Sequence, residues 1–363
     1  MTPPVDLLVG TSNGAFHLRA DSRRRSWKLR GPMLQGWKVL HISADTRGRG
    51  TTLYAGIDHT AFGPTIMRSS DWGRTWAQVG TPPRFGRGAP GTLKAVWTIV
   101  PGRASEPQTL FAGVADAALF RSTDQGQSWT ELKGLQRHPS RPGWSPGNGG
   151  LCTHTILLDP RDPKHLSVGI SAVGFLDSTD GGRTFSMRNE GLPAVVATKA
   201  HPQGSCVHTV VADPTNSRRL YMQNHQGMFR SRDGGERWRR CESGLPGPFG
   251  FPLVMHPQDP RSLYSAPLQG DYHRCFPKGR MRLYRTSDGG TSWKPIGKGL
   301  PDRHFYGGVL RHALAVDGCD PAGVYVGTTN GHLFGSADEG RTFRRLPGDY
   351  NRIMSVRTVP VSS

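Results

Sequence analysis

Residues 178–185 read STDGGRTF, and five relatives of this octet stand elsewhere in the 363-residue chain: SSDWGRTW (69–76), STDQGQSW (122–129), SRDGGERW (231–238), TSDGGTSW (286–293) and SADEGRTF (336–343). A seventh, damaged copy, ADSRRRSW, ends at Trp27 and has lost its glycine. The seven aspartates (Asp21, Asp71, Asp124, Asp180, Asp233, Asp288, Asp338) follow one another at intervals of 50 to 56 residues. So constant a period means a repeated supersecondary unit.

Each octet carries its own local rationale. The aspartate accepts backbone N–H groups across a tight turn, the glycine supplies the positive φ, the Ser or Thr hydroxyl adds a local bond, and the aromatic packs between neighbouring units. Function has no need of one carboxylate on six units, so Asp71, Asp124, Asp180, Asp233, Asp288 and Asp338 read as structural.

Around the octets the pattern is uniformly β. Runs such as TLYAG, TLFAG and VYVG precede an octet, an apolar run closing on a turn (THTILLDP, VHTVVADP, HALAVDG) lies before those, and the octet aromatic opens another. Four short antiparallel strands per unit, seven units and no helical periodicity predict an all-β fold, a seven-bladed β-propeller of four-stranded antiparallel blades. Within a single domain over 1–363, the blades fall near 350–358 with 5–30, then 36–80, 93–133, 151–190, 206–243, 249–297 and 309–347. The first blade lacks a strand that the C-terminal RIMSVRTV can supply. Closing the ring with strands from both termini removes two open sheet edges.

With 48 Gly and 29 Pro the composition excludes a helical bundle. Lys and Arg outnumber Asp and Glu by 46 to 27, a net charge of +19. Such an excess implies an anionic partner or, because the arginines are spread along the chain, only a solvated basic surface. Nucleic acid is not favoured, since no aromatic stripe is interleaved with the bases. The start lacks a signal-peptide pattern, and no apolar run approaches the ~18 residues of a membrane span. Five cysteines are of the wrong parity for a disulfide framework, so a cytoplasmic protein without a membrane partner is expected.

The pattern S-x-D-x-G-x-T-W resembles the Asp-box, or BNR, repeat of sialidases, xyloglucan-cleaving glycosidases, sortilin receptors and a photosystem assembly factor. The resemblance covers essentially the whole chain and is nearest to single-propeller bacterial proteins called sialidase-like or glycosyl hydrolase. It implies the propeller and leaves function to the site. Sialidases hold the substrate carboxylate with three Arg, use a Tyr with a Glu partner and an Asp acid, and carry an early Arg-Ile-Pro motif. That motif is absent here, and Glu236 and Glu339 lie inside octets with Glu131 and Glu242 just after them. Xyloglucanases employ two propellers and a pair of Asp, whereas the loop acids Asp58, Asp116 and Asp271 are paired by nothing in this sequence. The resemblance therefore transfers no catalytic residue.

Octets and Asp-Pro loops share one side of the blades, and the long, irregular connections share the other. Variable loops on a rigid scaffold are where sites form. Candidate ligand-binding residues there are Asp58, His59, His138, Arg141, Trp144, His225, Tyr272, Arg274 and Arg311, with His201 and Tyr306 in the same connections. Rich in His, Arg and aromatics, they suit an anionic small molecule or substrate. The same side could instead dock a protein partner, as a scaffold or assembly factor would; a glycoside hydrolase is the third reading. His154, His208 and His312 each stand five residues before the aspartate that ends a first strand, which would let three imidazoles converge on a divalent transition metal, the competing reading being hydrated channel lining.

Overall fold

Seven four-stranded antiparallel sheets account for the strands of the chain in a computed structural model that describes residues 4–87, 91–194 and 204–360. The fold is the expected all-β seven-bladed propeller. In chain order the first strands of the second to seventh blades are Lys38–Asp45, Ala95–Pro101, Thr153–Leu158, Val207–Asp213, Gly250–Met255 and Leu314–Val316. The first blade is completed from the other end of the chain. Ile353–Pro360 pairs antiparallel with Val5–Thr11, Gly10 opposite Ser355 and Val5 opposite Pro360.

By compactness the chain divides into two units, the first comprising Met1–Val39, Tyr221–Arg230 and Arg240–Ser363, the second Leu40–Leu220 and Ser231–Arg239. Unit 1 has a continuous core in which Leu7, Leu18, Tyr264, Phe276, Tyr325 and Val356 are all buried. Unit 2 has two clusters, one around Leu119, Val168 and Leu176, the other around Tyr54, Ile66 and Phe120. Strand alternation produces both, since successive residues face opposite sides of a blade and both sides are covered.

The six intact octets share one hydrogen-bond pattern. In each, the Ser or Thr hydroxyl donates to the aspartate at 2.6–2.9 Å and accepts the glycine N–H at 2.8–3.0 Å. The aspartate accepts the N–H four residues on at 2.9–3.1 Å. The Thr75 amide pulls the Asp71 carboxyl down to about 2, and the Thr184 hydroxyl and amide do the same for Asp180.

The turn so fixed points the octet aromatic at the end of the preceding blade. Trp238 N–H donates to Glu190 O at 2.9 Å, Trp293 N–H to Ser243 O at 2.8 Å and Phe343 N–H to Lys298 O at 2.7 Å. Each acceptor is followed by a Gly-Leu pair, and Gly191, Gly244 and Gly299 have φ of 85–91° with a carbonyl of the next octet where a Cβ would stand. The indole N–H groups add Trp238 Nε1 to Arg188 O at 2.9 Å and Trp293 Nε1 to Cys241 O at 2.7 Å.

Three outcomes follow from these contacts. Truncation before Ile353 exposes the Val5–Thr11 edge and should give insoluble protein or a lowered melting temperature; a truncated chain that melts like the parent removes the closure. Ser178→Ala orphans the buried Gly182 N–H and should cost about 1–2 kcal/mol in denaturant unfolding, with ligand affinity unchanged. Because the folded carboxyls of Asp71 and Asp180 titrate near 2, below their unfolded value of about 4, their stabilisation is complete above about pH 4 and is lost as pH falls toward 2. Acid melting curves should show that loss, and Asp180→Asn should flatten it.

Candidate functional site

Antiparallel pairing puts the octets at one end of each sheet and the second-to-third strand and blade-to-blade connections at the other. The ligand residues expected from sequence lie at the second end, most of them in one group within each unit and Asp58 and His59 apart from these.

In unit 1 the group is built around Phe251. The Arg274 guanidinium lies over its ring at 5.6 Å and the Arg311 guanidinium at 6.0 Å. Edge contact with Phe249 at 5.2 Å fixes the Phe251 ring, and Phe249 in turn meets His225 at 5.1 Å. Arg274 is oriented from its own loop, donating through Nε to Asp271 O at 3.0 Å and through Nη2 to Asp271 Oδ1 at 2.8 Å. Asp271 Oδ2 lies 3.7 Å from His225 Nε2. Burial lowers the His225 pKa, with Arg274 acting in the same sense and Asp271 against. Two phenols stand in solvent on the same connections, Tyr272 at 94 % exposure and Tyr306 at 67 %.

In unit 2 the group centres on Trp144, which follows a single 3-10 turn at Arg141–Gly143. The Ser140 hydroxyl accepts from Trp144 Nε1 at 2.9 Å and meets His138 Nδ1 at 2.9 Å, which orients both rings. Arg141 lies over the indole at 5.0 Å and donates to Gln136 Oε1 and to Asp116 O, both at 3.1 Å. Burial lowers the Arg141 pKa, and the nearby Asp116 and Glu131 carboxylates only partly offset it. Elsewhere in the unit His59, next to Asp58, stacks on Phe62 at 4.9 Å, and Phe62 is 79 % exposed.

Of the three histidines considered for metal, His154 has both ring nitrogens engaged. His154 Nδ1 is 2.9 Å from Thr155 Oγ1 and its Nε2 3.0 Å from Val207 O, so this ring keeps no lone pair for a metal ion. His208 is buried beside Cys206, their ligand atoms within 4.8 Å of each other. Thiolate and imidazole are donors that zinc accepts. His312 is held by its backbone, its carbonyl accepting from Val356 N at 2.8 Å. His201 lies outside the described residues.

Phe251 and Ser140 were not among the expected residues. PFGFPL reads as an ordinary apolar strand, and nothing local marks Phe251 as the seat of two guanidinium groups from other loops.

No family model matches the chain. It is 25% identical to a xyloglucanase of Paenibacillus sp over 278 residues, 66% of this chain and 24% of that protein. The chain thus spans about a quarter of the length of the curated relative it matches. The GH74 enzyme of Niastella koreensis superposes with a TM-score of 0.62 at 17% identity, covering 93% of this chain and 52% of that one. YCF48 bound to D1 peptide gives 0.52 at 14% identity, covering 86% and 85%. At these identities the structural likeness is one of fold.

Proposed function

We propose that the chain is a binding propeller whose irregular loop side receives a carboxylate-bearing partner, an acidic segment of another protein, at the Phe251 group of unit 1. The observation that carries this reading is the pair of guanidinium groups over one phenylalanine, Arg274 and Arg311, with Tyr272 and Tyr306 exposed on the same connections. A guanidinium has five N–H donors, so Arg274 keeps donors beyond those bonded to Asp271 for a partner carboxylate, and exposed tyrosines contribute contact area at low entropic cost. The net charge of +19 steers an acidic partner toward the chain. YCF48, similar in fold, is a propeller with a bound peptide.

Recognition is favoured over glycoside hydrolysis by where the loop acids are engaged. Hydrolysis needs two carboxyl groups flanking one glycosidic bond. Here Asp271 pairs with Arg274 at 2.8 Å, and Asp116 pairs with Lys94 at 2.9 Å. A cytoplasmic location belongs to the same proposal and suits five cysteines that form no disulfide. Among the described residues no helix is long and apolar enough to cross a membrane.

Fluorescence anisotropy with a labelled Glu-rich peptide, run beside a xyloglucan oligosaccharide, tests the reading. The peptide should bind, weaken as salt is added, and lose about tenfold or more in affinity in the Arg274→Ala/Arg311→Ala double variant. Peptide binding that ignores the double variant, or release of reducing sugar from xyloglucan, overturns the proposal, the second result in favour of a hydrolase.

A further inference from the structure

At the octet end of unit 2, loops of three consecutive blades surround a cavity of about 650 Å³. Its walls are largely hydrocarbon, with Val100 and Pro101 from the third blade, Ile156, Leu158 and Leu166 from the fourth, and Leu220 from the fifth. One corner differs. His165 Nδ1 lies 3.4 Å from Asp159 Oδ2, and its Nε2 lies 2.9 Å from Asp177 Oδ1, to which Ser167 Oγ donates at 2.6 Å. The His165 side chain is 27 % exposed while both carboxylates are nearly covered.

The charge of this corner is set by what surrounds it. Arg103 is also in the wall, but its Nε and Nη2 donate to Asp159 O and His165 O, both at 2.6 Å, and Nη1 pairs with Glu106 at 3.2 Å. It braces the loops and faces carbonyls already. Burial tends to raise the Asp159 pKa, yet the Arg161 amide and the Ser217 hydroxyl outweigh it and keep the carboxyl below its ordinary range. The Arg161 guanidinium stands in solvent with Nε 4.0 Å from Asp159 Oδ1, so two carboxylates face one imidazole and one exposed arginine. Asp159 and Asp177 give this corner an acidic character within a largely hydrocarbon wall.

We propose that the cavity binds a small hydrophobic amine, its apolar body among Ile156, Leu158, Leu166 and Leu220 and its ammonium group at the Asp159–His165 corner. The volume falls within the range of about 300–1,000 Å³ in which small-molecule pockets operate, and apolar walls with one polar anchor are their usual chemistry. The site is at the opposite end of the sheets from the loop groups and stands independently of the partner proposed for them.

Calorimetric titration of the full chain with three ligands sharing one indole body decides the matter. Tryptamine should bind at least about tenfold more tightly than its neutral analogue tryptophol, the difference a charge-assisted bond makes, and indoleacetate should not bind. Asp159→Asn should erase the preference for the amine. Ala104→Trp, at an exposed lining position, should block the amine without disturbing the core. Arg274→Ala/Arg311→Ala should leave tryptamine binding intact, which separates this site from the unit 1 surface. No tryptamine binding at millimolar concentration, equal binding of all three ligands, or binding that survives Ala104→Trp overturns the proposal.

Discussion

The backbone hydrogen bond from an octet aromatic to the tail of the preceding blade is the joint on which each unit depends. Trp238 to Glu190, Trp293 to Ser243 and Phe343 to Lys298 are the same bond made three times, and each is closed over a glycine that leaves no room for a side chain. A sheet presents unpaired N–H and C=O groups at its edges, and stacking blades face to face does nothing for them. The joint uses one such pair where a blade ends. It requires the aromatic's N–H to point backward, which the Ser-Asp-Gly turn enforces, so the hydroxyl, carboxylate and glycine of the octet serve the neighbour as much as their own blade.

Because these joints occupy one end of the sheets, the connections at the other end vary in length and sequence without cost to the stack. That freedom is where the arginines acquired aromatic seats. Arg141 on Trp144 and Arg274 and Arg311 on Phe251 each lay a guanidinium on a ring, and Arg141 and Arg274 are oriented by polar contacts from their own loops. Stacking of this kind orders the side chain before a ligand arrives and leaves the edge of the fork as the recognition element. Two of the loop carboxylates are paired with bases, Asp271 with Arg274 and Asp116 with Lys94.

Repeat and closure were legible in the sequence because both are written in local chemistry. An octet needs only eight residues to make its hydrogen bonds, and the C-terminal run Ile353–Pro360 pairs along the length of Val5–Thr11. Of the site, the His138–Ser140–Trp144 segment was half visible, since its rings lie within seven residues of each other. The rest depends on packing between distant segments. His154 stands in the register that suggested a metal ligand, yet its Nε2 is taken by the Val207 carbonyl of the next blade. The cavity at the octet end was hidden for the same reason: Asp159 and His165 sit in one short loop that reads as turn chemistry, and the space beside them exists only where three blades meet.

The damaged octet shows what the joint is for. Having lost its glycine, the first blade's copy turns through Arg24 at φ 51°, and Asp21 still accepts Arg25 N at 2.7 Å and Ser26 Oγ at 2.9 Å. The added side chain reaches into the seventh blade, where Arg24 Nη1 meets Asp317 Oδ2 at 3.0 Å and Nη2 donates to Pro321 O at 2.8 Å. Burial works against the Arg24 charge, and the Asp317 carboxylate more than offsets it. Asp317 is itself completed by Gly323 N at 2.7 Å and Tyr325 Oη at 2.8 Å. A buried ion pair of this kind adds little over well-packed hydrocarbon, but losing either partner strands a charge in the core. It therefore acts as a lock with one key. The backbone joints are alike and could be made by any octet with any blade tail, whereas only the first blade carries this arginine opposite an aspartate so prepared. The irregular copy thus supplies what identical repeats cannot, a contact that distinguishes the first blade from the other six.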